Sequence, residues 1–314
     1  MSSGEGAFCT NEHVTPLKHA QSASPEIAGA IGVGTATAAP TGPSRRASHR
    51  RCRKSHPAPR KPRGYVIYRG PSLLTGEPIV CVLALHSENV KTGNMAQAFI
   101  LPDHGERLAK ALRSGRDASV CGACKHRPVH AGTCYVVGWR GPTQVWDALM
   151  HSRYPDVRSA LHVAADAIAG RMVRISAYGD PAAVPLSVWQ AITARASGWV
   201  GYTHQWYRPE AQGYRDYCMA SVDSEGEKRL AENMGWRTYR IRLDTDPLLE
   251  REVVCPASDE AGHKLQCVSC GYCNGSAGRR SSVAIIVHGA KARRPERRTQ
   301  ARGWRCSWIR HDSR

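Results

Sequence analysis

The chain has 314 residues, 41% of them hydrophobic and 22% charged, with a formal net charge of +18. This supplies enough apolar side chain for one large domain or two small ones and excludes a chain that is disordered throughout. No run approaches the roughly 20 apolar residues of a membrane-spanning helix, so a cytoplasmic protein with no membrane partner is expected.

The charge is uneven. Residues 1–62 hold nine Lys/Arg against three Glu, and residues 289–314 hold nine against two acids, so 13 of the 18 excess charges lie at the two ends. Rich in Ser, Ala, Gly, Pro and Arg, residues 1–62 read as a disordered basic tail. Residues 291–314 read as a second one, with an α/β metal-binding domain at 63–290 between them. Such tails attract nucleic acid without sequence preference, or stay solvated with no specific partner.

Within the central region, β-branched and aromatic runs predict strands at 65–68, 79–85 and 97–101. Helical patterns follow at 105–115, 143–151 and 156–169. Strands are then expected at 173–177, 199–203, 218–222, 237–242, 253–255 and 283–287, with helices at 186–196 and 224–234. Ser224, followed three residues later by Glu227, marks the start of the last helix. This alternation argues for parallel βαβ units and an α/β class, drawn as a partial or open parallel α/β barrel with cysteine-rich loops.

Clustered Cys-x2-Cys spacing points to metal or redox chemistry before a disulfide framework. Cys255, Cys267, Cys270 and Cys273 spell C-P-x10-C-x2-C-x2-C, which puts three thiolates in one glycine-containing loop. An iron-sulfur cluster of the 4Fe-4S type is the leading expectation, with a closed structural zinc site as the alternative. Cys121, Cys124 and Cys134 supply three ligands. They leave one coordination position open, unless His126 or His130 completes a Cys3His zinc site. All seven can also serve a single site with some left over. Cys9, Cys52 and Cys306 fall in the tails, while Cys81 and Cys218 read as small core residues.

In parallel α/β folds, polar groups collect at the carboxyl ends of strands. Asp180, His204, Ser221, Asp223, Cys255 and His288 follow successive strands and are expected to share one rim, with the first four and His288 as catalytic candidates. Arg174 and Tyr202 are candidates for holding a small molecule of unspecified identity. Each has an ordinary structural reading too: an Asp before Pro is usually a cap or turn residue, and a lone His is usually structural. Arg174 and Arg240 project from strands and need a carboxylate or an anionic ligand, with Asp180 and Asp223 as candidate partners. No serine triad, Walker loop or dinucleotide glycine fingerprint is legible.

Asn89-Val-Lys91-Thr92-Gly93-Asn94, Cys121 to Cys124 with Cys134-Tyr135, Arg174-Ile-Ser176-Ala-Tyr178-Gly179-Asp180 followed by Trp189, and Gly201-Tyr202-Thr203 stand in this order. Together they resemble the phage "gene product 88"-like proteins over about residues 80–290. The resemblance implies a phage or prophage origin and one folded domain, and it brings no activity with it. The plan is also loosely similar to that of radical S-adenosylmethionine enzymes, which pair a partial barrel with a three-cysteine, open-site cluster. That similarity implies S-adenosylmethionine as a further cofactor. The chain departs from it in reading C-x2-C-x9-C rather than C-x3-C-x2-C, and in lacking a Gly-Gly-Glu-like element after Cys134.

Overall fold

The computed structural model describes residues 61–130, 134–263, 265–276 and 280–288. The expected tails, with Cys9, Cys52 and Cys306, lie outside the described residues except for Lys61 and Pro62.

Strands β1 (Gly64–Pro71), β2 (Pro78–Ala84) and β3 (Ala96–Pro102) form an antiparallel meander. Short connections without helices force this pairing, since a parallel neighbour would need a crossover. Ile79 to Leu83 of β2 have no solvent exposure at all. A strand covered on both faces reads as an unbroken apolar run, which is why Ile-Val-Cys-Val-Leu shows no alternation.

Helices α1 (Leu108–Ser114), α2 (Ala118–Cys121), α3 (Gly141–Met150) and α4 (Leu161–Ala167) then intervene before β4 (Met172–Tyr178), which runs parallel to β3. Helix α5 (Leu186–Thr193) leads to β5 (Gly198–Val200), parallel to β4, and completes a five-stranded sheet in the order β1-β2-β3-β4-β5. Beyond Gly201, β6 (Tyr202–Thr203) opens a second sheet. It continues through β7 (Met219–Val222), α6 (Glu225–Asn233), β8 (Thr238–Arg242), β9 (Glu252–Val254), α7 (Cys267–Cys270) and β10 (Ser282–Ile286). Its order is β6-β7-β8-β10-β9, parallel throughout. No helix among the described residues is long and apolar enough to cross a membrane.

Two local irregularities place the functional groups. The strand expected at 199–203 breaks at Gly201, whose N–H donates to Cys273 O at 3.1 Å. A Cβ there would stand 2.9 Å from Tyr217 O and 3.0 Å from Cys218 Sγ, so glycine lets the Tyr217–Cys218 segment approach. The second irregularity is a bulge in β4. Arg174 pairs with Gln97 but Tyr178 pairs with Phe99, with Ser176 at φ 137° in between. Bulges re-aim the chain that leaves them. Here Gly179, at φ 83°, turns the backbone so that Asp180 points across the strand ends.

The larger core fills the space between the first sheet and its helices, around Trp189, Ile67, Ile100 and Ile175. A smaller core of Met95, Val200, Met219, Val283 and Ile285 also takes in Cys255 and Cys273. Cys81 and Cys218 are fully buried, as core thiols should be.

Candidate metal centres and a strand-end cavity

Every described cysteine is a free thiol. Cys255 leaves β9 with its N–H bonded to Ala284 O at 2.9 Å, while Cys267 and Cys270 sit at the two ends of α7. The loop around residues 89–93 holds α7 in place. Cys267 N–H donates to Lys91 O at 3.1 Å, Val268 N–H to Thr92 O at 3.0 Å, and Gln266 Nε2 to Val90 O at 2.8 Å. That loop is itself an Asx turn, with Asn89 Oδ1 accepting from the N–H groups of Lys91 and Thr92 at 3.0 and 3.3 Å. On both sides of Cys273, Arg237 ties down the chain by donating to the carbonyls of Tyr272, Gly275 and Ser281.

The four thiols lie within electrostatic range of one another. Burial raises the Cys273 thiol to about 12, with Cys255, Cys267 and Cys270 adding to the rise and a hydrogen bond from Tyr202 opposing it. Burial also raises Cys255, against the Ala257 N–H, Lys91 and a hydrogen bond from the Tyr239 hydroxyl. Cys267 is raised by burial as well, and Arg174 and Lys91 pull it back. Donors aimed at sulfur and nearby cations are what a thiolate requires.

The first cysteine group has different neighbours. Arg127 pins the loop after α2 by donating Nε and Nη2 to the Asp117 carboxylate at 3.1 and 2.9 Å. Cys134 N–H bonds to His126 O at 3.0 Å and so returns to the Cys121–Cys124 turn. Burial lifts Cys121 well above the ordinary thiol range, and Cys124, Asp117, Cys134 and Asp180 raise it further. Cys124 is pushed up to about 12 by burial, partly relieved by the His126 N–H.

Two carboxylates face this group. Asp180 accepts from Thr203 Oγ1 at 2.7 Å, His204 N–H at 2.8 Å and Ala182 N–H at 3.0 Å. Burial still holds its carboxyl above the usual range. Asp223 Oδ2 lies 2.7 Å from His126 Nε2 and 2.8 Å from Lys125 Nζ. Burial disfavours ionisation of Asp223, but His126 and Lys125 outweigh it and hold the carboxyl well below the usual range. The cap of α6 sets this geometry. Ser224 Oγ accepts from Glu227 N–H at 3.1 Å, and Glu227 reaches back to Asp223 N–H at 2.8 Å and to Lys125 Nζ at 2.8 Å. His204 stacks edge-on to His126 at 5.3 Å, and its Nε2 is buried without a hydrogen-bond partner.

A cavity of about 80 Å³ opens between the two sheets beside Cys267. Tyr135, Tyr202 and Tyr239 form its aromatic wall, and Val200, Ile241 and Ile285 its aliphatic one. Arg174, Lys91 and His288 supply its polar groups.

The structure therefore divides the candidate site residues between two places. Asp180, His204 and Asp223 gather with Cys121, Cys124 and Cys134, whereas Arg174, Tyr202 and His288 gather with Cys255, Cys267, Cys270 and Cys273. Cys255 borders the second set rather than the first, because the break at Gly201 hands the strand from one sheet to the other. Ser221 lies in β7, opposite Tyr239 in the ladder, and its carbonyl accepts from Trp206 Nε1 at 3.1 Å. The expected ion pairs do not form with Asp180 or Asp223: Arg240 clasps Glu252 through two 2.7 Å bonds, and Arg174 bonds Tyr135 OH at 2.8 Å. Lys91, Lys125, Tyr135 and Tyr239 were not expected as site residues. Lys91 and Tyr135 stand inside short motifs visible in the sequence, whereas Lys125 and Tyr239 carry no local signal.

Among the described residues, no group of three or more His, Cys, Asp or Glu side chains already stands in ion-holding geometry. The donor chemistry nonetheless suits a metal, because each cysteine group brings soft thiols together with donors to sulfur. Comparison of the chain with protein-family models, with curated proteins and with solved structures gives no match.

Proposed function

We propose that this chain is a phage-type, cytoplasmic iron-sulfur protein whose cluster is held by Cys255, Cys267, Cys270 and Cys273, with the adjoining cavity receiving a small-molecule substrate. The observation that carries this reading is the gathering of four free thiols from β9 and the α7 loop around Tyr202, Tyr239, Arg174 and Lys91. A cluster bound there supplies one-electron chemistry. The chain's own residues do the rest. Tyr202 and Tyr239 donate to sulfur, Lys91 and Arg174 offset thiolate charge, and the apolar walls limit water.

The parallel run β3-β4-β5, continued through Gly201 into β6-β7-β8-β10-β9, supports an open parallel α/β barrel as the frame. In this reading Cys121, Cys124 and Cys134 form a second centre, and His204 is its natural fourth ligand, since its buried Nε2 has no other partner. The alternative with an open position, in which S-adenosylmethionine binds, keeps His204 with Asp180 and Asp223 as proton-handling groups.

Anaerobic purification followed by iron, sulfide and zinc assays and a visible spectrum tests the reading. Iron and sulfide with a broad visible absorption are expected. A colourless protein with stoichiometric zinc and no iron overturns the cluster. It supports instead a zinc-stabilised protein that binds nucleic acid through its basic ends, whose affinity should fall steeply with salt.

A further inference from the structure

The buried arginines have acceptors for their guanidinium groups: Arg127, Arg240 and Arg242 meet the carboxylates of Asp117, Glu252 and Glu260, and Arg237 donates to the carbonyls of Tyr272, Gly275 and Ser281. Arg174 breaks the pattern. Its Nη2 donates to the Tyr135 hydroxyl at 2.8 Å, and its Nε is buried with no hydrogen-bond partner. A buried guanidinium N–H without an acceptor is costly, and the usual remedy is an oxyanion, which the planar fork meets edge-on.

Lys91 has the same want. Its Nζ lies 3.2 Å from His288 Nε2, a nitrogen that accepts only when neutral, and it makes no ion pair among the described residues. Both cations line the cavity, and among the described residues its lining contains no Asp or Glu. Two positive charges that converge on such a space can hold an anionic ligand in addition to the charge they share with the neighbouring Cys267.

We propose that this cavity is a binding site for a small oxyanion, a carboxylate or phosphate head group held by Arg174 and Lys91, with the tyrosine and aliphatic walls covering a short apolar body. Its volume of about 80 Å³ suits a small molecule with a few heavy atoms beyond the head. The inference goes beyond the metal reading and does not depend on it. The competing explanation is that Arg174 and Lys91 serve only as counterions for the Cys267 thiolate.

The test is calorimetric titration of the full chain with acetate, benzoate and inorganic phosphate, and with acetamide and benzamide as neutral counterparts. At least one oxyanion should bind with one-to-one stoichiometry while its neutral counterpart does not, and the preferred anion separates a carboxylate from a phosphate site. Affinity should fall about tenfold or more in Arg174→Gln and Lys91→Gln, and stay unchanged in Arg158→Gln, whose side chain pairs with Asp156 at the surface. Arg174→Lys, which keeps the charge and loses the fork, gives an intermediate value and serves if Arg174→Gln does not fold. Three results overturn the proposal: no oxyanion binding at millimolar concentration, binding untouched by both pocket variants (capture by the basic ends), or loss of bound metal in Arg174→Gln without any anion binding in the parent. Metal content is read on the same samples, so a failed cluster and a failed anion site are told apart.

Discussion

Cys121, Cys124 and Cys134 gather beside Asp117, Asp180 and Asp223, whereas Cys255, Cys267, Cys270 and Cys273 gather beside Arg174 and Lys91. The same ligand type thus meets opposite fields. Thiolates next to carboxylates multiply negative charge in a region of reduced dielectric, and a compact divalent cation relieves it. Thiolates next to guanidinium and ammonium groups are already compensated, so an anionic cluster is tolerated there. Within the proposed function, the contrast predicts zinc at the first group and iron-sulfur at the second.

The largest expected effect breaks the comparison outright. Cys273→Ser should abolish the iron, sulfide and visible absorption while leaving any bound zinc in place, and Cys121→Ser should do the reverse. Elemental analysis of the two variants side by side checks this. If either substitution removes both metals, the seven cysteines serve one centre and the comparison falls.

Next in size is the carboxylate that defines the first field. Asp223 is nearly buried, with Lys125 and His126 on the same oxygen. In the metal-free protein, Asp223→Asn should cost about 1–3 kcal/mol in urea unfolding, because it removes the charge facing Lys125 and a partner of His126, while Glu227 keeps its own pair with Lys125. The folded carboxyl sits below its unfolded value. Its contribution is therefore present above the unfolded pKa of about 4 and is lost as the pH falls below it. Parent and variant should converge in acid. A difference that stays constant between pH 7 and pH 3 would show that packing, not charge, holds the turn.

Much of this frame was legible in the sequence, and the part that was not has a physical reason. Strand positions followed from runs such as Ile79 to Leu83, and the start of α6 from Ser224 and Glu227, because both signals are local. The division of the polar rim was invisible, since the strand breaks at Gly201, whose N–H meets the Cys273 carbonyl, a contact between segments far apart in sequence. Arg240 and Arg174 looked alike on their strands. Only the fold shows that one meets Glu252 and the other a cavity.

The smallest effect sharpens the comparison at the level of single hydrogen bonds. In the second group the donors to sulfur are side chains: the Tyr202 hydroxyl reaches Cys273 and the Tyr239 hydroxyl reaches Cys255. In the first group the donor to Cys124 is the backbone N–H of His126, which no side-chain substitution removes. Tyr178 feels Cys121, but its hydroxyl is buried without a hydrogen-bond partner. Tyr202→Phe should therefore keep the cluster, lower stability by about 0.5–1.5 kcal/mol and move the cluster's midpoint to more negative potential, because a donor to sulfur favours the more negatively charged, reduced state. Tyr178→Phe, by contrast, deletes a hydroxyl that bonds nothing and should leave both stability and midpoint unchanged or raise stability slightly. Redox titration and urea unfolding of the pair decide the matter. Equal midpoints in parent and Tyr202→Phe would mean that the tyrosine wall serves the cavity and not the sulfur.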